Sequence, residues 1–321
     1  MKDCELILNF LNGGRYKYIQ NLDLSQKTWI KTGGVCTFWI EPYSIEQLTN
    51  LCRFLYKNSV VFELVGQTSN LFFHSEYNPS IVVSTIRVNK YDIEGEQLVC
   101  DCGANVSKLS RDMLAAGYAG FSGLTRLPGT VAGSVYGNAG CFSCSISEML
   151  ISAEVLMPDG NIRTFAKKDF GFEKRSSKFK RGEVKGVVLT VKLKLQKAKN
   201  IDEEYRKSEE TKLYRKTNQE GPAKNLGSVF AVRIMRRNLR NKIVKAAMRV
   251  LPTLLRKEPR YIQKKSILLL YGYRDLDAYC SDRQINTFIW KDEKAEAAFE
   301  RYKEMMNKVY KDLQIEIEEK F

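Results

Sequence analysis

The chain has 321 residues and a formal net charge of +15 at pH 7, with 44% hydrophobic and 11% aromatic residues. That length calls for two or three subdomains, and that composition excludes a disordered chain. No apolar run approaches the length of a membrane span; the best is Ile267–Leu270. Asp3 and Glu5 stand near the start with no long apolar core behind them, which argues against a secretion signal. A cytoplasmic protein with reduced cysteines is expected.

In chain order, Ser44-Ile45-Glu46-Gln47 reads as a capping box. Ile45, Leu48, Leu51, Cys52 and Leu55 then share one helical face, which predicts a helix of about three turns. It leads into a short strand, Phe62–Val65, followed by a polar turn, Gly66–Leu71. Further strands are predicted at Ser80–Thr85 and Gln97–Cys102, with a helix over Val106–Ala116 closed by Gly117. Ile151–Met157 and Asn161–Phe165 flank Pro158-Asp159-Gly160, a hairpin signal. Lys185–Leu195 alternates apolar and basic residues as a half-exposed strand. Lys197–Lys216 reads as linker plus helix. Arg301–Tyr310 reads as a helix and Leu313–Ile317 as a final strand.

Between Val232 and Lys257 stand nine Lys/Arg and no acid. Apolar residues at 232, 235, 239, 243, 247, 250 and 254 make a near-continuous helical stripe, interrupted only at Pro252. The stripe is expected to face the core, with the cations solvated or aimed at a phosphate. A membrane surface is the lesser alternative. No aromatic-interleaved basic repeat or helix-turn-helix points to nucleic acid.

Leu127–Gly140 holds four glycines and two alanines in fourteen residues, which suits neither a core helix nor a strand. Such a segment lets the main chain approach a ligand and turn its N–H groups toward an anion. With the Gly66–Leu71 turn it makes two glycine-containing loops, each beside a strand, as a dinucleotide with a pyrophosphate requires. Gly66–Leu71 is similar to a Gly-x-Gly-Ser-Asn-Leu turn, and Leu127–Gly140 to an Ile-Pro-Gly-Thr-Val-Gly-Gly…Asn-Ala-Gly stretch. In both, the order and spacing resemble the UDP-N-acetylenolpyruvoylglucosamine reductase family. The resemblance covers roughly residues 20–195 and thins afterwards.

The resemblance implies an α+β chain with the p-cresol-methylhydroxylase-type FAD-binding fold. Two flavin subdomains, residues 1–85 (rejoined by 306–321) and 86–196, would precede a smaller α/β substrate-binding domain, 197–305. It further implies FAD held by Gly66, Thr68, Ser69, Asn70, Leu71, Pro128, Gly129, Thr130, Val131, Gly133, Asn138, Ala139 and Gly140. NADPH would be the reductant and an anionic nucleotide sugar the substrate, in peptidoglycan synthesis. Gln67 and Ala132 stand where the family carries glycine. Phe172–Phe179 is similar to Phe-Gly-Tyr-Arg-x-Ser-x-Phe, which puts Arg175 on the active-site arginine; a guanidinium there would oppose charge building on the substrate carboxylate. Gly227-Ser228-Val229-Phe230 matches a Gly-Ser-Val-Phe segment whose serine donates a proton. Leu313–Ile317 resembles the closing Leu-x-Pro-Glu-Val and puts Glu316 on the active-site glutamate, with Glu318 and Glu319 close enough to make the register arguable. Departures gather late: Ala231-Val232-Arg233 replaces Lys-Asn-Pro, and Ile285-Asn286-Thr287-Phe288 replaces His-x-Asn-Phe. A paralogue acting on another anionic or sugar-linked substrate is the alternative, followed by a non-catalytic anion-binding protein on the same fold.

Two other features carry weaker signals. Cys100-x-Cys102 and Cys141-x-x-Cys144 have thiolate-pair spacing, yet read better as small buried hydrophobes, so no metal is expected. His74, the only histidine, has no nucleophile motif beside it.

Overall fold

A computed structural model describes residues 2–141, 144–221 and 224–321. Side chains of Cys141 and Val232 lie outside the described residues, so their places in the thiol pair and the apolar stripe are not described. The chain forms two compact units. The first comprises Met1–Gln26, Gly34–Ser69 and Glu76–Lys212; the second comprises Lys27–Gly33, Asn70–Ser75 and Leu213–Phe321.

A four-stranded and a five-stranded sheet form most of the first unit. One runs in the order Lys17–Asp23, Val35–Glu41, Ile81–Ser84, Glu63–Val65, antiparallel at the first pair and parallel thereafter. Ile81–Ser84 is buried along its whole length, as a covered parallel strand must be. The helix Ile45–Lys57 begins where its capping residue predicts: Ser44 Oγ accepts the Gln47 N–H at 3.1 Å. Its Leu48, Leu51, Cys52 and Leu55 share a core with Ile7 and Leu11 of the helix Lys2–Gly13.

The second sheet is antiparallel, in the order Ile162–Ala166, Leu150–Leu156, Val187–Lys194, Gln97–Asp101, Tyr91–Glu94. Its hairpin turns at Gly160, whose φ of +82° only glycine takes without strain. The helix Val106–Ala115 buries Leu109, Met113 and Leu114 against this sheet. The helix Ile201–Asn218 is almost wholly polar, and it docks through polar groups. Glu204 accepts from Ser122 Oγ at 3.1 Å, and Ser208 pairs with Thr125 at 2.8 Å. The boundary between the units falls within this helix.

Aromatic side chains fill the second unit's core. Phe288 meets Phe299 edge-on at 5.0 Å and lies 5.2 Å from Tyr302, while Phe72 packs 4.1 Å from Trp290. Glu318–Lys320 pairs in parallel with Leu71–Phe73, and Phe230–Met235 pairs antiparallel with Tyr310–Ile315. The helices Leu239–Leu255, Pro259–Tyr271 and Ala295–Val309 complete it.

The basic stretch corrects two expectations. Its first residues form a strand, so the helix starts only at Leu239 and carries Pro252 within its last turns. Its apolar stripe faces solvent: Leu239, Ile243, Val250 and Leu254 are 72%, 45%, 65% and 73% exposed. The cause is a polar anchor on the opposite side. Asn241 Nδ2 donates to the Arg236 and Val309 carbonyls at 2.9 Å each, and Tyr271 Oη donates to Asn241 Oδ1. These bonds fix the helix rotation. Arg236, in turn, hydrogen-bonds the Asn307 and Tyr310 carbonyls through Nε.

Candidate functional site

In the first unit, the loops Gly66–Ser69 and Leu127–Gly140 lie against each other. A Cβ on Gly66 would stand 2.5 Å from Thr130 Oγ1, so glycine is obligatory there. Thr130 caps the short helix Val131–Tyr136, its Oγ1 accepting the Gly133 N–H at 3.3 Å. Gly129 adopts φ +131°, where a side chain is strained, and Thr68 sits at φ +55° while buried. Gln67 ties the loops directly: its Oε1 accepts the Gly129 N–H at 2.7 Å. Ala132 is tolerated because it lies inside a helix with ordinary φ.

The amides of this loop are engaged within the chain. Val131 N donates to the Ala104 carbonyl and Ala132 N to that of Cys102, at 2.9 and 3.0 Å. An inward-turned row of main-chain N–H groups is therefore not what Gly129–Gly133 presents; the loop offers Thr130, Ser134 and the neighbouring Ser69 beside glycine backbone. A side chain at Gly129 would stand 3.7 Å from Ser69 Oγ and 4.0 Å from Ser134 Oγ. Asn138, at φ +45°, gives its Nδ2 to the Glu173 carbonyl at 2.7 Å, while its Oδ1 is buried with no hydrogen-bond partner. The buried Asn138 Oδ1 acceptor, the Ser69, Thr130 and Ser134 hydroxyls and the bare backbone of Gly129 are groups that fit a flavin dinucleotide.

Asn138 also fastens the Arg175 segment. Glu173 and Ser176 exchange backbone hydrogen bonds at 3.1 and 3.2 Å, which forces Arg175 to φ +58° between them. Ser177, fully buried, donates its hydroxyl to the Tyr136 carbonyl at 2.6 Å. Phe170 stacks on Phe172 at 5.2 Å and packs against Phe179, rooting the segment in the core. The Arg175 segment is thus held beside the Leu127–Gly140 loop by two bonds. A surface cleft of about 600 Å³ lined by Tyr91, Asp101, Lys108 and Asp112 has none of the loop residues in its wall.

The second unit gathers Asn70, Ser228 and Glu316. Gly227 takes φ +74° and gives its N–H to Asn225 Oδ1, which turns the chain so that Ser228 can bridge Thr287. Gln284 Nε2 donates to Ser228 Oγ at 2.8 Å. The next residue's carbonyl, that of Val229, accepts the Glu316 N–H at 2.8 Å. Asn70 Nδ2 donates to the Glu316 carbonyl at 3.1 Å, and Asn70 O accepts from Glu318 N. Leu71 opens the strand that pairs with Glu318.

Asn286 escaped the sequence reading. It is buried, and its amide brackets Phe230, donating to the carbonyl at 2.9 Å and accepting the N–H at 3.2 Å. Gln284 escaped as well. Neither has a local signature, since their partners lie 56 residues away.

His74 joins Glu296 through Nδ1 at 2.6 Å and Glu319 through Nε2 at 3.3 Å. Donor atoms of His74, Glu300 and Glu319 lie within 4.8 Å of one another, but the Lys303 ammonium already binds both glutamates. Burial pushes the Cys100 thiol up to about 12 and Cys102 higher still, so both are protonated and pack as hydrophobes. They belong to different clusters of the unit's core.

Residues 37–166 match the family described as FAD binding domain. The chain is 33% identical over 163 residues to the UDP-N-acetylenolpyruvoylglucosamine reductase of Carboxydothermus hydrogenoformans, a stretch covering 50% of this chain and 54% of that protein. To the reductase of that name from Enterococcus faecalis it is 28% identical over 207 residues, covering 64% and 68%. The match to the first of these spans about half of that relative's length. The crystal structure of UDP-N-acetylenolpyruvylglucosamine reductase from Thermus caldophilus shares the fold, with a TM-score of 0.67 over 95% of this chain and 98% of that one at 20% identity.

Fold and matched domain define the class: a flavin-binding protein whose dinucleotide is FAD. Within that class, the relatives the chain resembles along its sequence carry the name UDP-N-acetylenolpyruvoylglucosamine reductase.

Proposed function

We propose that the chain is an FAD-dependent oxidoreductase that reduces UDP-N-acetylglucosamine enolpyruvate to UDP-N-acetylmuramate, with NADPH as the reductant, for peptidoglycan synthesis. Bound FAD supplies the hydride chemistry. The protein's part is electrostatic and protonic. Arg175 opposes negative charge growing on the substrate carboxylate, and Ser228 delivers the proton that completes reduction. Glu316 is the companion carboxylate.

One observation carries the role of Ser228. An N–H donated by Gln284 to its oxygen stabilises the alkoxide over the alcohol and makes a weak acid a better one. The two FAD loops and the net charge of +15 agree with a substrate bearing a diphosphate and a carboxylate. The test is anaerobic: reduce the protein-bound flavin with NADPH, then add the enolpyruvyl nucleotide sugar and follow flavin absorbance. Rapid reoxidation supports the reading.

A second reading is a paralogue with another sugar-linked anion as substrate. It is favoured by Ile285, which stands where the family carries histidine, and by the absent Lys-Asn-Pro after Phe230. Flavin that is reduced by NADPH but not reoxidised by the nucleotide sugar would select it.

A further inference from the structure

The helix Leu239–Leu255 presents an unpartnered aliphatic face. Leu239, Ile243, Val250 and Leu254, all exposed, fall within an arc of about 60° when about 100° is allowed per residue. The row runs the length of the helix, about 25 Å. Exposed Lys242 and Arg249 border it on one side and Arg240 on the other. Asn241 and Val244, on the opposite side, hold the helix to the unit.

Charge decides what covers this face. From Val232 to Lys257 there is no acid to meet nine Lys/Arg, so a second copy seated here would set cation against cation. An anionic bilayer answers both features: the aliphatic row enters the boundary between headgroups and acyl chains, and the bordering cations meet lipid phosphates. The arrangement is that of a helix lying in a membrane interface. No helix among the described residues is long and apolar enough to cross a membrane, so seating, not spanning, is the mode.

We propose that the helix Leu239–Leu255 docks the protein onto an anionic lipid surface. This inference stands apart from the catalytic reading, and its test uses lipid alone. The 321-residue protein is floated with phosphatidylcholine vesicles with and without phosphatidylglycerol. Binding to the anionic vesicles only, weakening as salt rises, is the expected result. Replacing Leu239, Ile243, Val250 and Leu254 together by serine should weaken partitioning by on the order of 10²-fold. Lys242→Gln and Arg249→Gln together should also weaken it. These side chains are exposed, so the melting temperature should hold; should the quadruple variant misfold, Leu254→Glu alone repeats the apolar test. Three results overturn the proposal: no binding to anionic vesicles at low salt, unaltered binding by the serine variant (adhesion through net charge alone), or a dimer in sedimentation that the serine variant dissolves.

Discussion

The Leu127–Gly140 loop of the first unit and the Leu226–Phe230 loop of the second both hold small residues in awkward backbone, but by different means. The first is fixed by its own neighbourhood: Thr130 caps the helix that follows, Gly129 accepts a φ of +131°, and amides 131 and 132 bond carbonyls of an adjacent segment. The second is turned locally by Gly227 and Asn225 but held in place from afar, by the side-chain amides of Gln284 and Asn286. Geometry that backbone and caps enforce must be written locally, in glycines and threonines. Geometry enforced by a distant amide leaves fewer marks in the loop itself. A loop held by its own backbone can therefore be obvious, and one held from afar obscure, in one chain.

Substitutions sharpen that contrast, beginning with the largest expected effect. Ser228→Ala should leave NADPH reduction of the flavin nearly unchanged and slow substrate reduction by on the order of 10²–10⁴. Cysteine should retain more activity than alanine. Stopped-flow flavin absorbance separates the halves; equal loss in both would show that the two loops are not independent. Asn286→Ala strips a buried N–H and carbonyl of Phe230 of their partners, so denaturant unfolding should show a loss of about 2–4 kcal/mol. A loss well below that would mean the second loop holds itself.

In the first unit, Gln67→Ala frees the Gly129 N–H that its side chain now occupies. If the dinucleotide's phosphate competes for that amide, FAD affinity should rise roughly 5–10-fold by titration calorimetry. Weaker binding would instead assign Gln67 to holding the loops in register. The smallest effect concerns acid. A hydrogen bond from Lys108, joined by Tyr91, holds Asp112 down at about 2, below the ordinary carboxylate. Its contribution is complete above about pH 4 and fades as pH falls through 2. Asp112→Asn should flatten the melting temperature over that range by an amount worth under ~1 kcal/mol.

What was legible follows the same division. The Ser44 cap, the hairpin at Pro158-Asp159-Gly160 and the helix ending before Gly117 are local devices, and each structural element lies within a residue or two of its prediction. The basic stretch misled because periodicity reports that a helix has an apolar side, not where that side points. Asn241, an unremarkable letter in sequence, sets the direction by reaching Val309. The same holds for His74, whose partners Glu296 and Glu319 are more than two hundred residues away.

The order in which the chain is made gives the second unit's threading a further meaning. Ile30 and Phe72 sit in a core whose remaining members all follow residue 225, and Leu71–Phe73 finds its parallel neighbour only at Glu318–Lys320. By Lys212 a ribosome has delivered every segment of the first unit. The second unit's two early segments must then wait roughly a hundred more residues, on the order of 5–20 s at ordinary elongation rates. During that interval Phe72 has no core to enter. Nascent chains stalled between Lys212 and Glu318 should therefore engage chaperones through the Asn70–Ser75 segment, and release it once Lys320 has cleared the exit tunnel.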